Sequence, residues 1–191
     1  MTAPVGTFDA DLIYVGSPDR AAGAIMSGDK GTALPTDAST AVGAGFVDSG
    51  YISEDGVTLS DAQTWNDIKD WGGDTVRRIK SESQVTLAWS FLELNEQSAS
   101  AAFGDQNVTA TTGKLKIKLN VSEAPRKAWV INMVDGGRKM RITVADGQIT
   151  DRGDQTFTRT GAVLIPVTLT CYPDANGDTA IIYAEPAPVV P

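Results

Sequence analysis

"AWVINMVDGGRKMRITV", residues 128–144, decides the class of fold. Along Arg138–Val144, Met140, Ile142 and Val144 fall on one face while Lys139, Arg141 and Thr143 fall on the other. That period of two belongs to a strand with one side on a core. Ala128–Val134 reads as a second strand, and Asp135-Gly136-Gly137 between them supplies the positive φ that a tight hairpin demands. The stretch is therefore an antiparallel pair.

Working outward, "KLKIKLNV", residues 114–121, repeats the pattern: Leu115, Ile117, Leu119 and Val121 oppose Lys114, Lys116, Lys118 and Asn120. Further strands are expected at 10–15, 46–52, 57–60, 76–80, 83–91, 147–151, 162–172 and 179–183, with turns at Asp146-Gly147 and Asn176-Gly177. One segment departs from this. In "NEQSASAAFG", residues 95–104, Asn95 is a good helix cap, Glu96 suits the first turn, the alanines favour helix and Gly104 suits its end. The expectation is a mainly β chain, a sandwich or partly open barrel, with one short flanking helix. Residues 16–45, rich in Gly, Ala, Ser, Thr and Asp, have no period and read as a long loop. The whole forms a single domain over 1–185, and "PAPVVP", residues 186–191, reads as an extended tail.

A chain of 191 residues is long enough for one core, and its single cysteine excludes an internal disulfide framework. The N-terminus lacks a basic segment followed by an apolar run, and no stretch reaches the length of a membrane span, so synthesis in a cytoplasm and no membrane are expected. Histidine is absent, which removes the commonest general base near neutral pH and the commonest transition-metal ligand. No enzyme and no cofactor are expected.

Four features imitate sites. Cys171 alternates with Val163, Ile165, Val167 and Leu169 and reads as a core thiol. "GAIMSGDK", residues 23–30, has the glycine spacing of a phosphate loop, but Asp29 stands where lysine is needed. Asp174, Asn176, Asp178 and Glu185 fall at calcium-loop positions, yet Thr179 replaces the required glycine, so a turn is expected there instead. Trp89 and Trp129 alternate with core residues, whereas Trp65 and Trp71 flank the acidic "NDIKD" and leave open a sugar-binding platform.

The net charge of −8 is unevenly spread. Residues 1–75 hold 12 acids and three bases; the remainder holds 12 acids and 13 bases. Phosphate neutralisation is a poor reading of such a chain. Oppositely biased faces suit contact between copies, where charge fixes register.

"GYISEDGV" (50–57), "DIKDWGGDTVR" (67–77), "LELN" (92–95) and the helix closing on "FG" (103–104) resemble the major tail protein, or tail tube protein, of long-tailed siphoviruses infecting actinobacteria. The resemblance implies a tail-tube fold in a virion component. Six copies would close a ring, rings would stack, and genomic DNA would pass through the tube without specific binding. Other partners implied are a tape measure protein in the lumen during assembly and the tail-tip and tail-terminator proteins. If each subunit gives four strands, a hexamer has a circumference of about 115 Å and a backbone diameter of roughly 37 Å.

On that resemblance, Trp71, Gly72 and Gly73 would turn a loop onto a neighbouring subunit, with Arg77, Arg78 and Lys80 meeting its acids. Ile25, Met26, Asp29, Lys30 and Leu34 would lie on an inter-ring loop ordered by assembly, so that deleting 18–44 should leave a folded monomer. Asp48, Glu82, Gln84, Thr86 and Ser90 would line the lumen, with Asp48 on a strand beside the others. The alternative is a β-sandwich adhesin or carbohydrate-binding module using Trp65 and Trp71.

Overall fold

The computed structural model describes residues 13–19 and 24–185. Eleven strands occur among them: β1 (Ser17–Pro18), β2 (Ile25–Asp29), β3 (Phe46–Asp48), β4 (Thr58–Lys69), β5 (Thr75–Phe91), β6 (Val108–Thr111), β7 (Lys114–Ile117), β8 (Lys127–Asp135), β9 (Arg138–Arg152), β10 (Ile165–Cys171) and β11 (Ile181–Glu185). The helix α1 (Glu96–Phe103) follows β5. The chain is mainly β, as the alternation predicts.

One antiparallel sheet runs β3-β2-β8-β9-β10-β5-β4, and β6 with β7 forms a separate hairpin. β11 and β10 pair with successive halves of β9, so β9 holds both. The main sheet curls. Trp89 of β5 and Trp129 of β8 meet at 5.5 Å between ring centroids although β9 and β10 lie between their strands. In a flat sheet those strands would stand roughly 14 Å apart. The two ends of the sheet are joined by only residues 49–57, and Ile52 bridges to Phe91, yet no ladder links β3 to β4. The result is a partly open barrel wrapped round its own core.

That core collects Leu87, Trp89 and Phe91 from β5, Trp129 and Ile131 from β8, and Val167 and Leu169 from β10. Helix α1 closes one side with Ala99, Ala102 and Phe103. Its start is fixed as the sequence predicts: the Asn95 side chain accepts from the Ser98 amide at 2.7 Å, and the Ser98 hydroxyl accepts from the Asn95 amide at 3.0 Å. Cys171 lies in this core, and burial pushes its thiol up to about 12.

Several expected boundaries move. The Asp146-Gly147 turn is no turn, because β9 runs straight through it. A Cβ at Gly147 would come within 2.9 Å of the Trp129 ring and 3.0 Å of Leu169, so glycine serves close packing there. The strands expected at 57–60, 76–80 and 83–91 are two long strands, β4 and β5. β7 ends at Ile117, leaving Leu119 and Val121 exposed rather than facing the core. Of the strand expected at 10–15, residues 10–12 lie outside the described residues and 13–15 are not strand; the 186–191 tail and Gly23 also lie outside them.

The largest correction concerns residues 16–45. β2 is a strand inside the main sheet, between β3 and β8, with Ile25 fully buried. Ile25, Met26 and Asp29 are therefore sheet residues, and "GAIMSGDK" is no loop. Removing 18–44 would take a core strand with it, so the deletion is expected to unfold the monomer rather than leave it folded. The part after β2, residues 30–45, crosses the outer face of β8 and β9 and is fastened there. Arg141 is buried; its Nη1 donates to the carbonyls of Asp37 (2.9 Å) and Thr40 (2.7 Å), and its Nε to Asn132 Oδ1 (2.6 Å). Burial lowers the Arg141 pKa, and the charges of Asp37, Asp19 and Glu185 oppose that shift. The Ala38 amide donates to Glu185 at 2.8 Å. Asp146, also buried, accepts from Arg126 Nε at 2.6 Å and holds Lys30 at 2.6 Å. A polar clip thus holds the strap over a sheet face that would otherwise bare Val130 and Thr143.

Candidate functional site

The outlying part of the molecule is the hairpin of β4 and β5. All 12 residues of β4 are exposed, as are the β5 residues from Thr75 to Gln84. β10 accompanies β5 only from Val85 to Phe91, opposite the start of β4. Beyond that point neither edge of the hairpin pairs with another strand among the described residues. From Ala62 to Lys69 this projection extends about 25 Å.

The stretch "DWGGD", residues 70–74, is the hairpin's own turn rather than a loop preceding it. Asp70 builds it: its carboxylate accepts from the Asp74 amide at 2.9 Å, its carbonyl from Gly73 at 3.1 Å, and its amide donates to Asp74 at 2.9 Å. Gly73 has φ +94°, a left-handed conformation that side chains resist, whereas a Cβ at Gly72 would find room. Trp71, between Asp70 and Gly72, is completely exposed.

The register along the hairpin shifts twice, first between Thr64 and Trp65 and again between Ile68 and Lys69. From Thr58 to Thr64, β4 sets its even residues opposite the even residues of β5, on the face turned away from the core. Between Thr64 and Trp65 the register shifts, and Ser81 is left unopposed. Beyond this bulge, Trp65 faces Lys80, Asp67 faces Arg78, and Ile68 faces Arg77. Arg77 and Arg78 therefore point to opposite sides. Arg78 Nε donates to Asp67 Oδ1 at 2.7 Å and its Nη2 to Oδ2 at 3.2 Å, which holds the Asp67 carboxyl below its ordinary range and raises Arg78. Arg78 thus has an acid of its own chain as partner.

Glu82, Gln84, Thr86 and Ser90 share the face turned from the core. They sit beside Ser60 and Thr64 of β4 and Thr168 and Thr170 of β10, giving a surface of small polar side chains in which Glu82 is the charged member. Asp48 is not among them. It lies on β3 at the other end of the sheet, opposite Met26, and accepts from the Gly50 amide at 2.8 Å. Lys30 and Leu34 belong to the strap.

An open-edged projection of this kind is chemically suited to one thing, the pairing of its backbone with further strands. The region has no nucleophile poised beside a base. Among the described residues no group of three or more acids, histidines or cysteines is arranged to hold a metal ion. Asp174 instead accepts the amides of Asn176 and Asp178 within its turn, while Glu185 faces Lys139 on β9. Backbone donors, Asp178 first, hold the Asp174 carboxyl below its ordinary value.

The model of a family described as phage tail tube protein matches residues 19–189. The chain belongs to that family. Tail tube proteins are structural components of the virion tail, and no described helix is long and apolar enough to cross a membrane. Among curated proteins none matches the chain. Two solved structures are similar in outline. One is the anti-feeding prophage cap, the AFP tube-terminating cap, at 10% identity and TM-score 0.48, covering 95% of this chain and 99% of that one. The other is the PVC sheath-tube complex of an extracellular contractile injection system in the extended state, at 10% identity and TM-score 0.40, covering 92% and 95%.

The sequence missed the fasteners of this tail tube subunit. Arg141 and Asp146 look like ordinary members of an alternating strand and a turn. Their only signal was that an arginine and an acid occupied strand positions whose polar face later proved covered.

Proposed function

We propose that this tail tube subunit assembles with itself into stacked rings, six copies to a ring, whose lumen carries DNA from the virion. The observation that carries the reading is the projecting hairpin, with both edges unpaired, on a chain of the tail tube family. Successive strands β9, β10, β5 and β4 are the four that each copy gives to an inner barrel. Closure round a ring removes the open edges of β4 and distal β5, which are an aggregation hazard in an isolated chain.

The face bearing Glu82, Gln84, Thr86 and Ser90 is the lumen. Small polar groups with an acid offer a duplex no cation to bind, so it slides rather than sticks. Trp71, Gly72 and Gly73 with Arg77, Arg78 and Lys80 form the subunit interface. Arg78 acts there through its pair with Asp67, and Arg77, on the other side, meets acids of a neighbouring copy. The exposed part of the strap, including Lys30, faces an adjoining ring. A tape measure protein in the lumen and tip and terminator proteins at the ends complete the tail. The motifs at 50–57 and 67–77 favour a siphovirus of actinobacteria, with synthesis in the host cytoplasm and no catalytic role.

Light scattering across concentration and salt, with negative-stain microscopy of the same samples, tests this. Hollow rings or tubes are expected, and Arg77→Glu is expected to assemble poorly at low salt. A wild-type chain that stays monomeric even when seeded with tail tips, and that binds a glycan, would overturn the reading.

A further inference from the structure

The two ends of the hairpin differ in a way that goes beyond lateral pairing. At its base, beside the residues that lead into β4, lies a recess of about 240 Å³. Its floor is Ile131, and its walls include Pro18, Gly50, Ile52, Gly56 and Val57. More of its lining is apolar than polar, and glycines leave it unfilled. At the far end of the same strand stands Trp71, a large apolar side chain with no cover at all. Val57 immediately precedes β4 and Trp71 lies two residues beyond its end, so the knob and the recess are about 40 Å apart along the hairpin.

We infer that Trp71 of one copy seats in the recess beside Val57 of the next copy along the tube axis. Three observations favour a second copy as the occupant. A knob and a hole at opposite ends of one rigid element form a head-to-tail contact that does not close on itself, which is the geometry of a filament. The charges match: residues 66–80 carry four bases and three acids, whereas 49–57 carry Glu54 and Asp55 and no base. Finally, the turn that presents Trp71 is built by the hydrogen bonds of Asp70 and the left-handed Gly73, so the indole is held out before any partner arrives. Glu54 at the recess rim, with Asp55 next to it in the chain, then receives Lys69 and Arg77. This contact rests on the tube reading and specifies what sets the rise from ring to ring.

The test is disulfide trapping in the full chain. Cys171 is buried and supplies little background. Oxidising assembled Trp71→Cys/Val57→Cys protein should give a ladder of multimers on a reducing-agent-free gel, which neither single variant gives. Trp71→Ala should raise the concentration needed for tubes by about 30-fold, as loss of a central tryptophan anchor does. Gly16→Leu, placed to fill the recess beside Met133, should act alike. As a readout independent of folding, assembly should shift tryptophan emission to the blue more in wild type than in Trp71→Phe, where only Trp65 of the exposed tryptophans remains to be covered. Tubes that form normally in both Trp71→Ala and Gly16→Leu, with no ladder from the double cysteine, would overturn this contact and leave the tube reading standing. Failure of wild type to form rings or tubes under seeding would overturn both.

Discussion

The curled body and the projecting hairpin are made of the same antiparallel ladder and obey opposite rules. In the body β2, β8, β9, β10 and the last part of β5 each pair on both sides, and Trp89, Phe91 and Trp129 meet in edge-to-face contacts at 5.5 and 5.7 Å. On the hairpin Trp65 and Trp71 lie in the open. The tryptophans of the body pack against one another, whereas those of the hairpin leave their apolar area uncovered within the chain. Exposed large apolar groups carried on an unpaired edge are a liability that a monomer would be expected to shed.

Breaking the body should have the largest effect. Trp129→Ala is expected to cost about 4 kcal/mol, lowering Tm by about 8–16 °C in a thermal melt. A smaller loss would mean that the sheet collapses onto the cavity. Next comes the strap. Arg141→Ala leaves two carbonyls and the Asn132 amide oxygen without their buried donor and is expected to cost about 3 kcal/mol. Hydrogen exchange should then accelerate at Ala38 and Thr40 before the core strands open. Unchanged protection there would show that the strap is held by packing alone.

The hairpin should behave differently. Replacing residues 63–83 by Asn-Gly, which rejoins Ala62 to Gln84, is expected to change the monomer Tm by no more than about 2 °C. Assembly should be abolished in the same protein. A large drop in Tm would erase the distinction between the two regions. Within the turn, Gly73→Ala should cost about 1 kcal/mol of local order and speed exchange at Asp74, while Gly72→Ala should do neither.

The smallest effect concerns acid. Hydrogen bonds from the Thr40 side chain and then its amide hold the Asp37 carboxyl below its ordinary value of 3.8. A carboxyl depressed on folding contributes stability above its unfolded pKa and loses it as pH falls through the folded value. The strap should therefore loosen only below about pH 4, and Thr40→Val should move that loosening to higher pH in an NMR titration of the strap. The exposed Asp67–Arg78 pair has the same sign, yet solvent screens it, and Arg78→Ala should not measurably change Tm.

Most of the strands, the capped helix and the core positions of Trp89, Trp129 and Cys171 were legible because each depends on neighbours a few residues away. Period and turn chemistry are local. They failed where a local signal had a distant cause: Gly147 looked like a turn glycine, but the Trp129 and Leu169 side chains require it. Ile25 sat in a segment without period because β2 is only five residues long, too short to display one. The shared outward polar face of Glu82, Gln84, Thr86 and Ser90 on β5 followed from alternation, yet Asp48 did not join it, since strand order in a sheet is not written in chain order.

By itself the sequence determined the β class, the helix and its cap, and the charge asymmetry, all of which follow from residue type and spacing. Its motifs also pointed to the tail tube family. Tertiary structure alone decided that 67–83 is the tip of one long hairpin, that Arg141 and Asp146 fasten a strap, and that the bulge at Ser81 interrupts the alternation of β5 between Glu82 and Lys80. The physical reason is the same in each case: register, burial and edge pairing depend on which strand lies alongside, and that partner is supplied by the folded chain.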